Sequence, residues 1–423
     1  MPQEPVSMIL YKLFLFCYPK IIKLLGFFNP KAKQWSLGQS TVWDEIEANQ
    51  QKLKGHPIIW VHAASYGEFE QGLPIIEAIK AQYPQYKIWL TFFSPSGYLH
   101  RKNDPSVDAV TYLPFDSLQN ASNFLNKINP DLIIFIKYEF WYYYLSEAKA
   151  RNIPTILASA IFRPNQVFFK WYGGFYKDML SLFSSILVQD HEIYDLVAPA
   201  LKKTRLFISG DTRFDRVLQT ATTSQPIEWM QLLSSDKNII AGSTWKEDDA
   251  ILFKTTAHFN QFNWIIVPHH VDEKNIEYCK KNYPAAITLT QLLTNGQKQT
   301  KPIVLIVDCI GLLRNLYQYA YISYVGGGFG KDGVHNVLEP AAFGKPVIWG
   351  HNDTKYKEAI GLRNNKGGYH IKNEAAFVMH LNELLQNSNH YNQIGNNARK
   401  YIIDNAGATQ KTMKEIIIKL DKS

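Results

Sequence analysis

The chain has 423 residues, of which 46% are hydrophobic, and a formal net charge of +8. This length allows two ordinary domains with their own cores, and the apolar content excludes an intrinsically disordered chain. Three scattered cysteines, Cys17, Cys279 and Cys309, exclude a disulfide framework and a cysteine-rich zinc site. The positive charge suits nucleic acid, an anionic membrane surface or a phosphorylated substrate, and composition does not choose among them.

The N-terminal segment 8–28 is strongly apolar but is interrupted by Lys12, Lys20 and Lys23. No small-residue cleavage site follows it, which argues against a cleaved signal peptide. Its longest uncharged stretch, Leu13–Pro19, is too short to cross a bilayer, and its proline predicts a break or kink in a helix. We predict an interfacial helix; the alternative is a helix packed on the protein's own core. The lysines that would meet anionic lipid also include Lys31 and Lys33.

From residue 57 onward, short β-rich runs alternate with helical patterns, which is typical of parallel sheets covered by helices on both faces. A helix predicted at Phe69–Gln82 has Phe69, Leu73, Ile76 and Ile79 on one apolar face. The predicted strands of this first series are Pro57–Ala63, Lys87–Phe93, Ala109–Leu113, Asp131–Ile136, Thr155–Ala158, Ile186–Gln189 and Leu206–Ser209.

The periodicity is lost after Gly210, and a second β-rich series follows. Its predicted strands are Asn238–Gly242, Trp264–Val267, Ile303–Val307, Tyr321–Val325 and Pro346–Trp349. The sequence therefore predicts two doubly wound α/β domains in tandem, with ligands in the cleft at the carboxyl ends of their strands. The predicted boundaries are 1–30 for the membrane-associating segment, 31–210 for the first domain, 211–236 for a linker, 237–400 for the second domain and 401–423 for a closing helical segment.

Two acids are predicted at strand ends of the first domain. Glu68 lies at the turn from a strand into a helix, where it either caps the helix or acts as a general base toward a hydroxyl group. Glu139 directly follows the apolar strand DLIIFI and is expected to face the same cleft. Its neighbours Phe140 and Trp141 form a platform for a sugar or lipid, or pack in the core; both interpretations remain open.

The segment AGSTWKEDD, residues 241–249, predicts a helix start in the second domain. Thr244 and Glu247 have the spacing of a capping box, which alone explains both residues. The backbone N–H groups of such a start, with the hydroxyls of Ser243 and Thr244 and the ammonium group of Lys246, equally make a phosphate site.

The segment 324–350 contains three consecutive glycines, Gly326 to Gly328, after a predicted strand. Glycines let the backbone approach a ligand closely, and the helix predicted to open near His335 and Asn336 points its N-terminus at the same space. The spacing matches neither a Walker A loop nor a dinucleotide fingerprint. Glu339 shares the first helical turn with Asn336, where it accepts hydrogen bonds from a ribose or stabilises the helix N-terminus.

With these segments in view, the chain resembles bacterial transferases of 3-deoxy-D-manno-octulosonic acid (Kdo), which are specific for a lipid A precursor and have the two-domain GT-B fold. The resemblance runs nearly from end to end. It is carried by an ordered series of motifs: HAASYGE, TFFSPSGY, YLPFD, KYEFW, ASAIF, GDTRFD, AGSTWKEDD, VPHH, VDCIGLL and GGGFGKDGVHNVLEPAA.

The resemblance implies two Rossmann-like domains, an acceptor-binding first domain and a second domain that binds the nucleotide sugar CMP-Kdo. It places Glu68 at the family's catalytic-base position and Glu139 at a second acidic position. It assigns Ser65, Gly67, Ser94 and Trp141 to the acceptor side. It assigns the donor side to Ser243, Thr244, His269, His270, Gly311, Gly327, Gly328, Asn336 and Glu339.

Three positions depart from the family pattern. His269 and His270 stand where an Arg-His pair is usual, so a permanent cation near the donor phosphate is missing and either His269 or another cation takes its place. Val334 replaces a glycine before the His-Asn pair, and Leu312 replaces an acid after Gly311. These departures concern donor contacts and leave the class unchanged.

The resemblance implies inverting transfer of Kdo from CMP-Kdo to a lipid A precursor, lipid IVA, in lipopolysaccharide biosynthesis, with Glu68 as the general base. No metal or cofactor is expected, and no nucleic-acid module is evident. The implied location is the cytoplasmic face of the inner membrane of a Gram-negative-type bacterium, as a peripheral or monotopic protein. The alternatives are a GT-B glycosyltransferase or epimerase of other nucleotide-sugar specificity, and a non-catalytic protein that binds lipid or sugar.

Overall fold

A computed structural model describes residues 6–201, 203–234, 237–283 and 285–421. The chain divides into an N-terminal unit, Met1–Arg216 together with Gly407–Ser423, and a C-terminal unit, Val217–Ala406. Each unit contains one parallel β-sheet with helices on both faces. The two sheets differ in strand order, but both have the doubly wound topology that the sequence predicts.

The sheet of the N-terminal unit has seven strands in the order β3-β2-β1-β4-β5-β6-β7, and all of its pairs are parallel. Its central strands are buried throughout because helices cover both of their faces. The chain reverses its winding direction between the neighbours β1 and β4, and ligand sites in such sheets form at this point. The strands are β1 (Ile58–Ala63), β2 (Lys87–Phe92), β3 (Ala109–Tyr112), β4 (Leu132–Ile136), β5 (Thr155–Ala160), β6 (Ser185–Val188) and β7 (Arg205–Ile208).

Among the residues that the structure describes, α-helices α1 to α9 precede the C-terminal sheet. They are α1 (Val6–Leu25), α2 (Pro30–Lys52), α3 (Tyr66–Gln82), α4 (Pro95–Arg101), α5 (Leu118–Ile128), α6 (Tyr142–Ala150), α7 (Gly174–Leu180), α8 (His191–Val197) and α9 (Thr212–Thr223). Helix α1 packs inward through Met8, Tyr11 and Leu15, which recur at helical spacing. The hydroxyl of Tyr11 donates to the buried carboxylate of Asp116 at 2.6 Å and so fixes α1 on the domain.

The helix α18 (Ala408–Leu420) returns to the N-terminal unit. Its residues Met413, Ile416 and Leu420 belong to the same apolar cluster as the α3 residues. The carboxylate of Asp215 on α9 accepts the backbone N–H groups of Gly407 and Thr409. The N-terminal unit is therefore assembled from two separate parts of the chain.

The sheet of the C-terminal unit also has seven parallel strands, in the order β10-β11-β9-β8-β12-β13-β14. Its winding reverses between β8 and β12. The strands are β8 (Asn238–Thr244), β9 (Asn263–Pro268), β10 (Ile287–Thr288), β11 (Val304–Ile306), β12 (Ala320–Val325), β13 (Val347–Gly350) and β14 (Gly368–Ile371). The helices are α10 (Lys246–His258), α11 (Glu273–Asn282), α12 (Leu289–Asn295), α13 (Leu313–Leu316), α14 (Leu338–Ala342), α15 (Lys357–Asn364), α16 (Glu374–Gln386) and α17 (Ser388–Asn405).

Several local predictions differ from the structure. The irregular segment expected after Gly210 contains helix α9, whose apolar side chains Phe214 and Val217 are buried on one side. Helix α1 continues through Pro19, where the sequence predicted a break or kink. The proline costs one backbone hydrogen bond, but the packing of the inner face holds the rest of the helix together. Over the ranges that the structure describes, no helix has the length and apolar character required to cross a membrane.

Candidate active site

Helix α3 begins directly after β1, and Glu68 lies in its first turn. The carboxylate Oε2 of Glu68 accepts the backbone N–H of Ser65 at 3.0 Å, so Glu68 does cap the helix. The residue is nevertheless only 3% exposed to solvent. A surface cap needs no such burial, so the capping role and the predicted role as a base are compatible.

Glu139 follows β4, the neighbour of β1 at the reversal point of the sheet. It is 8% exposed, and its Oε2 accepts the indole N–H of Trp141 at 2.8 Å. The backbone leaves β4 through Lys137, whose φ of 75° is in the left-handed region that residues with a Cβ rarely adopt. The structure thus holds the Glu139 loop in a strained conformation at the strand end.

Glu139 affects the ionisation of Glu68. Burial raises the pKa of Glu68 above its ordinary value, and the nearby carboxylate of Glu139 raises it further. Lys137, His62 and the backbone N–H of Ser65 act in the opposite direction but do not cancel the effect. A carboxylate with a raised pKa is a stronger base, which is the property that proton removal from a hydroxyl requires.

The aromatic residues beside Glu139 have different surroundings. Phe140 packs in the core, with its ring 4.7 Å from that of Phe168. Trp141 instead hydrogen-bonds Glu139 and contacts the ring of Phe93 at 4.9 Å. Core packing therefore explains Phe140, whereas Trp141 belongs to the surroundings of the acid pair.

The other predicted acceptor-side residues lie at neighbouring helix starts. Ser65 is the N-cap residue of α3 and Ser94 is that of α4, where its Oγ accepts the backbone N–H of Ser96. A Cβ at Gly67 would have no neighbour within 4 Å, so packing does not require a glycine there. Their contact with an acceptor remains a prediction.

In the C-terminal unit, the glycine loop follows β12 and lies beside the end of β8. A Cβ at Gly326 would lie 2.3 Å from the carbonyl oxygen of Ser243, and one at Gly328 would lie 2.6 Å from the backbone of Gly350. Gly327 has a φ of 88°. Backbone packing thus requires all three glycines, and close approach to a nucleotide remains a prediction for them. Ser243 itself has a φ of 54°.

The predicted capping pair at the start of α10 is wrong by one residue. The helix begins at Lys246, and its N-cap residue is Trp245, not Thr244. The backbone N–H of Trp245 accordingly donates to Asp248 at 2.9 Å, and Asp248 replaces Glu247 as the capping acid. The strand β8 continues through Thr244, which delays the helix by that one residue.

Asp248 organises the loops around it. Its Oδ2 also accepts the backbone N–H of Gly327 at 2.8 Å, and its Oδ1 accepts the hydroxyl of Tyr324 at 2.7 Å. Burial raises the pKa of Asp248, although these hydrogen bonds oppose the rise. One fully buried carboxylate therefore ties the start of α10 to the glycine loop.

Three rings form a stack at the ends of β8, β9 and β12. His269 lies between Trp245 and His335, with ring centroids 4.7 Å and 4.5 Å away and interplanar angles of 20°. The indole N–H of Trp245 donates to Nε2 of His335 at 2.7 Å, and the ring of His270 meets Trp245 edge-on. Burial and the neighbouring His269 lower the pKa of His335 to about 4, and burial lowers the pKa of His269 as well. Burial therefore favours the uncharged form of His269, and the contact of His269 with the donor remains a prediction.

The helix predicted to open near His335 begins later, at Leu338, and is short. The side chain of Asn336 holds this start: its Oδ1 accepts the backbone N–H of Leu338 at 3.1 Å, and its Nδ2 donates to Glu339 at 3.2 Å. Nε of Arg314 lies 3.8 Å from the same Glu339 carboxylate. A permanent positive charge is thus present beside the predicted donor residues, but it comes from α13.

The remaining donor-side position and the two other departures lie near these elements. Gly311 has a φ of 94°, and a Cβ there would meet no neighbour within 4 Å, so its backbone conformation alone favours glycine. Leu312 is the N-cap residue of α13. Val334 is buried, and its backbone N–H donates to the carbonyl of Asn352 at 3.2 Å.

Four residues of these sites were not predicted from the sequence: His62, Trp245, Asp248 and His335. All four lie inside the motifs that carried the resemblance. A signal existed for His62, because it is the one ionisable residue of the otherwise apolar strand Ile58–Ala63. The partners of the other three come from distant parts of the chain, which spacing does not reveal.

Comparison with solved structures defines the class of protein. The UDP-GlcNAc 2-epimerase from Neisseria meningitidis, in a crystal structure bound to UDP-GlcNAc, superposes with a TM-score of 0.60 and covers 87% of this chain and 100% of its own. Its sequence identity of 16% makes this a likeness of fold alone. Two Rossmann-like units in tandem with this likeness define a GT-B fold, as the sequence predicted.

Sequence comparison shows which known proteins the chain is similar to. Residues 38–216 match the model of the 3-deoxy-D-manno-octulosonic-acid transferase (kdotransferase) domain. The 3-deoxy-D-manno-octulosonic acid transferase of Haemophilus influenzae is 27% identical over 417 residues, which cover 95% of this chain and 96% of the relative. That of Aquifex aeolicus is 29% identical over 336 residues, 77% of this chain and 86% of the relative. The chain is thus similar over most of its length to 3-deoxy-D-manno-octulosonic acid transferases, and it is a glycosyltransferase.

Proposed function

We propose that this protein transfers Kdo from CMP-Kdo to a glucosamine hydroxyl of the lipid A precursor lipid IVA, with inversion at the anomeric carbon, in lipopolysaccharide biosynthesis. The relatives named above supply the identity of the sugar. The observation that carries the chemistry is the buried pair of Glu68 and Glu139 at the reversal point of the first sheet.

Glu68 is the general base of the proposed reaction. The acceptor hydroxyl oxygen forms the new bond to the anomeric carbon, and its proton passes to the carboxylate of Glu68. The bond from the anomeric carbon to the phosphate oxygen breaks, and its electron pair leaves with CMP. Because the pKa of Glu68 is raised by burial and by Glu139, its carboxylate has the basicity that this step needs.

The C-terminal unit supplies the donor site in this proposal. Ser243, Thr244, Gly327 and Gly328 lie at the ends of β8 and β12, where the winding of that sheet reverses. Backbone N–H groups at such a point stabilise the charge of a leaving phosphate. We assign the cationic contribution to Arg314, because an arginine is permanently charged whereas burial lowers the pKa of His269.

Helix α1 attaches the protein to the cytoplasmic face of the inner membrane in this proposal. Eleven of the 23 large apolar side chains exposed in the described part of the chain lie between Val6 and Phe28. The exposed side of α1 thus also carries many apolar side chains, which packing on the protein's own core does not explain. Exposed lysines accompany this face and would each gain about 1 kcal/mol from anionic lipid.

The aromatic turn before α7 extends this apolar surface. Trp171 is 95% exposed, and Tyr172 beside it is also exposed. The turn is braced on the domain, because Phe175 packs against Tyr11 of α1 with 5.5 Å between ring centroids. Tryptophan and tyrosine favour the interface between lipid and water, so we assign this turn to the same bilayer surface.

The reaction is tested by giving the purified protein CMP-Kdo and tetraacylated lipid A precursor in detergent, and measuring CMP release together with the mass of the lipid product. Release that requires both substrates, with a lipid heavier by one or more Kdo residues, supports the proposal. Absence of turnover by well-folded protein would refute it. Incubation with UDP-GlcNAc in a parallel reaction tests the epimerase alternative.

Membrane attachment is tested by sedimentation with vesicles that contain anionic lipid, at low and at high salt. We expect the double variant Leu13→Glu/Phe16→Glu to remain in solution while the wild type sediments, most strongly at low salt. Met379→Glu is the matched control, since Met379 is 56% exposed and Leu13 is 55% exposed. Equal sedimentation of the double variant and this control would exclude α1 as the attachment site.

A further inference from the structure

His62 is a buried histidine that touches the acid pair. It lies on β1 with no exposed surface. Its Nε2 is 3.2 Å from Oε2 of Glu139, and its Nδ1 is 2.8 Å from the hydroxyl oxygen of Thr91 on the neighbouring strand β2. The same hydroxyl oxygen accepts the indole N–H of Trp60 at 2.8 Å. A continuous chain of contacts therefore runs from Trp60 to Glu139.

The chain of contacts fixes the tautomer of the imidazole. An indole nitrogen only donates, so the hydroxyl of Thr91 accepts from Trp60 and keeps its own proton for another acceptor. The acceptor within reach is Nδ1 of His62. The ring proton then lies on Nε2 and points at Glu139. The opposite tautomer would leave the buried hydroxyl proton unpaired and would set a bare ring nitrogen against a carboxylate oxygen.

The indole of Trp141 is the other donor near this ring nitrogen. Its Nε1 lies 3.3 Å from Nε2 of His62 and 2.8 Å from Oε2 of Glu139. The shorter contact is with the charged acceptor, and charge-assisted hydrogen bonds are the stronger ones. The indole proton therefore goes to Glu139 and leaves Nε2 of His62 free to carry its own.

We propose that His62 is a positioning residue of the transfer reaction, whose Nε2–H, fixed by Thr91 and Trp60, orients the carboxylate of Glu139 beside Glu68. This inference rests on the proposed function of the acid pair. Oε2 of Glu139 then receives two N–H donors, one from His62 and one from Trp141. Two N–H donors on one oxygen fix the orientation of the carboxylate.

The two carboxylates consequently have unequal surroundings. Glu139 is held by two side-chain N–H groups, whereas Glu68 receives the backbone N–H of Ser65 and interacts with the hydroxyl of Tyr138. The other charged group that faces the pair is Lys137, and Arg163 in turn interacts with Tyr138. Such asymmetry gives two neighbouring carboxylates different roles in catalysis.

The first test reads the tautomer directly and needs no substrate. Long-range proton–nitrogen spectra of protein labelled with ¹⁵N-histidine are recorded for the wild type and for His62→Gln, whose missing signals assign His62. We expect a neutral ring protonated at Nε2. Thr91→Val should release this preference, whereas Thr91→Ser should keep it. A ring protonated at Nδ1, or a tautomer unchanged in Thr91→Val, would overturn the proposal.

The second test measures the pH dependence of kcat/KM for His62→Leu and His62→Gln. Leucine removes a donor from the acid pair, so the acid limb should move up by about one pH unit, with about tenfold lower activity at its midpoint. Glutamine keeps an N–H near the position of Nε2 and should leave the limb close to that of the wild type. An unmoved acid limb in a folded His62→Leu protein would show that His62 is only structural.

The two tests separate the possible failures. A protein that shows the expected tautomer but does not release CMP disproves the proposed reaction and leaves the assignment of His62 to Glu139 intact. Wild-type turnover combined with the wrong tautomer disproves the role of His62 alone. If His62→Leu does not fold, the comparison of Thr91→Val with Thr91→Ser supplies the same pH measurement.

Discussion

The double role of Glu68 permits a prediction that separates catalysis from stability. Glu68→Gln and Glu68→Ala both remove the proposed base, and each should lower kcat by about 10²- to 10⁴-fold. Only alanine also removes the cap, because a glutamine carbonyl oxygen still accepts the backbone N–H of Ser65. Loss of an N-terminal cap costs about 1 kcal/mol of unfolding free energy. For a domain of this size, that corresponds to a fall in Tm of about 2 to 4 °C.

The pH dependence of stability gives the sign of the charge effect. The pKa of Glu68 is raised in the folded protein, so ionisation is less favourable there than in the unfolded chain. Its carboxylate therefore lowers stability progressively as pH rises from the unfolded pKa of about 4.3 through the folded one. Glu68→Gln removes this penalty and should be at least as stable as the wild type near neutral pH, with a smaller advantage in acid.

The assay combines CMP release with thermal unfolding of the wild type, both Glu68 variants and Glu77→Gln. The last is the matched control, since Glu77 lies on the same helix, is partly exposed and pairs with Arg216 at 3.5 Å. The reasoning about the base fails if Glu68→Gln keeps more than about a tenth of the wild-type activity. The reasoning about the cap fails if the alanine and glutamine variants unfold at the same temperature.

Three further predictions concern buried groups elsewhere. Asp248→Ala breaks three hydrogen bonds and should lower the unfolding free energy, measured by urea unfolding, by about 2 to 4 kcal/mol. It should also raise the KM for the donor, measured by CMP release. Tyr11→Phe removes a hydrogen-bond donor from Asp116, and burial raises the pKa of that carboxyl group to about 6. The unfolding free energy should therefore fall by about 1 to 3 kcal/mol at neutral pH. The loss should be smaller below pH 6, where the carboxyl group is protonated. Cys309 is exposed, whereas burial raises the pKa of Cys279 to about 12, so a thiol reagent should label Cys309 in the native protein and Cys279 only after unfolding.

Strand positions were the part of the fold that the sequence predicted best. Apolar β-rich runs such as Ile58–Ala63 and Leu132–Ile136 are covered on both faces, and their boundaries differ from the prediction by one residue. The edge strands β10 and β14 were missed. The first has only two residues, and the second, Gly368–Ile371, has half-buried polar positions that give no apolar run.

The site was predicted only in part, for a physical reason. Acids directly after buried strands can be located from sequence because strand ends converge at one edge of a parallel sheet. The residues that set the chemistry of those acids act through contacts across 29 to 79 positions, as His62 does toward Thr91 and Glu139 and Asp248 does toward Gly327. Residue spacing carries no information about such contacts. The sequence showed that His269 stands where an arginine is usual, but it did not show that Arg314 lies beside Glu339.

The return of α18 to the first unit has a consequence for biosynthesis. On the ribosome, the strands and helices of the N-terminal unit emerge first, but residues that cover part of its apolar core are made only after the whole C-terminal unit. At about 5 to 20 residues per second, translation of Val217–Ala406 delays them by roughly 10 to 40 s. During that interval the nascent chain exposes the apolar face that receives Met413 and Ile416. Co-translational folding of this protein should therefore depend on chaperones until α18 has emerged.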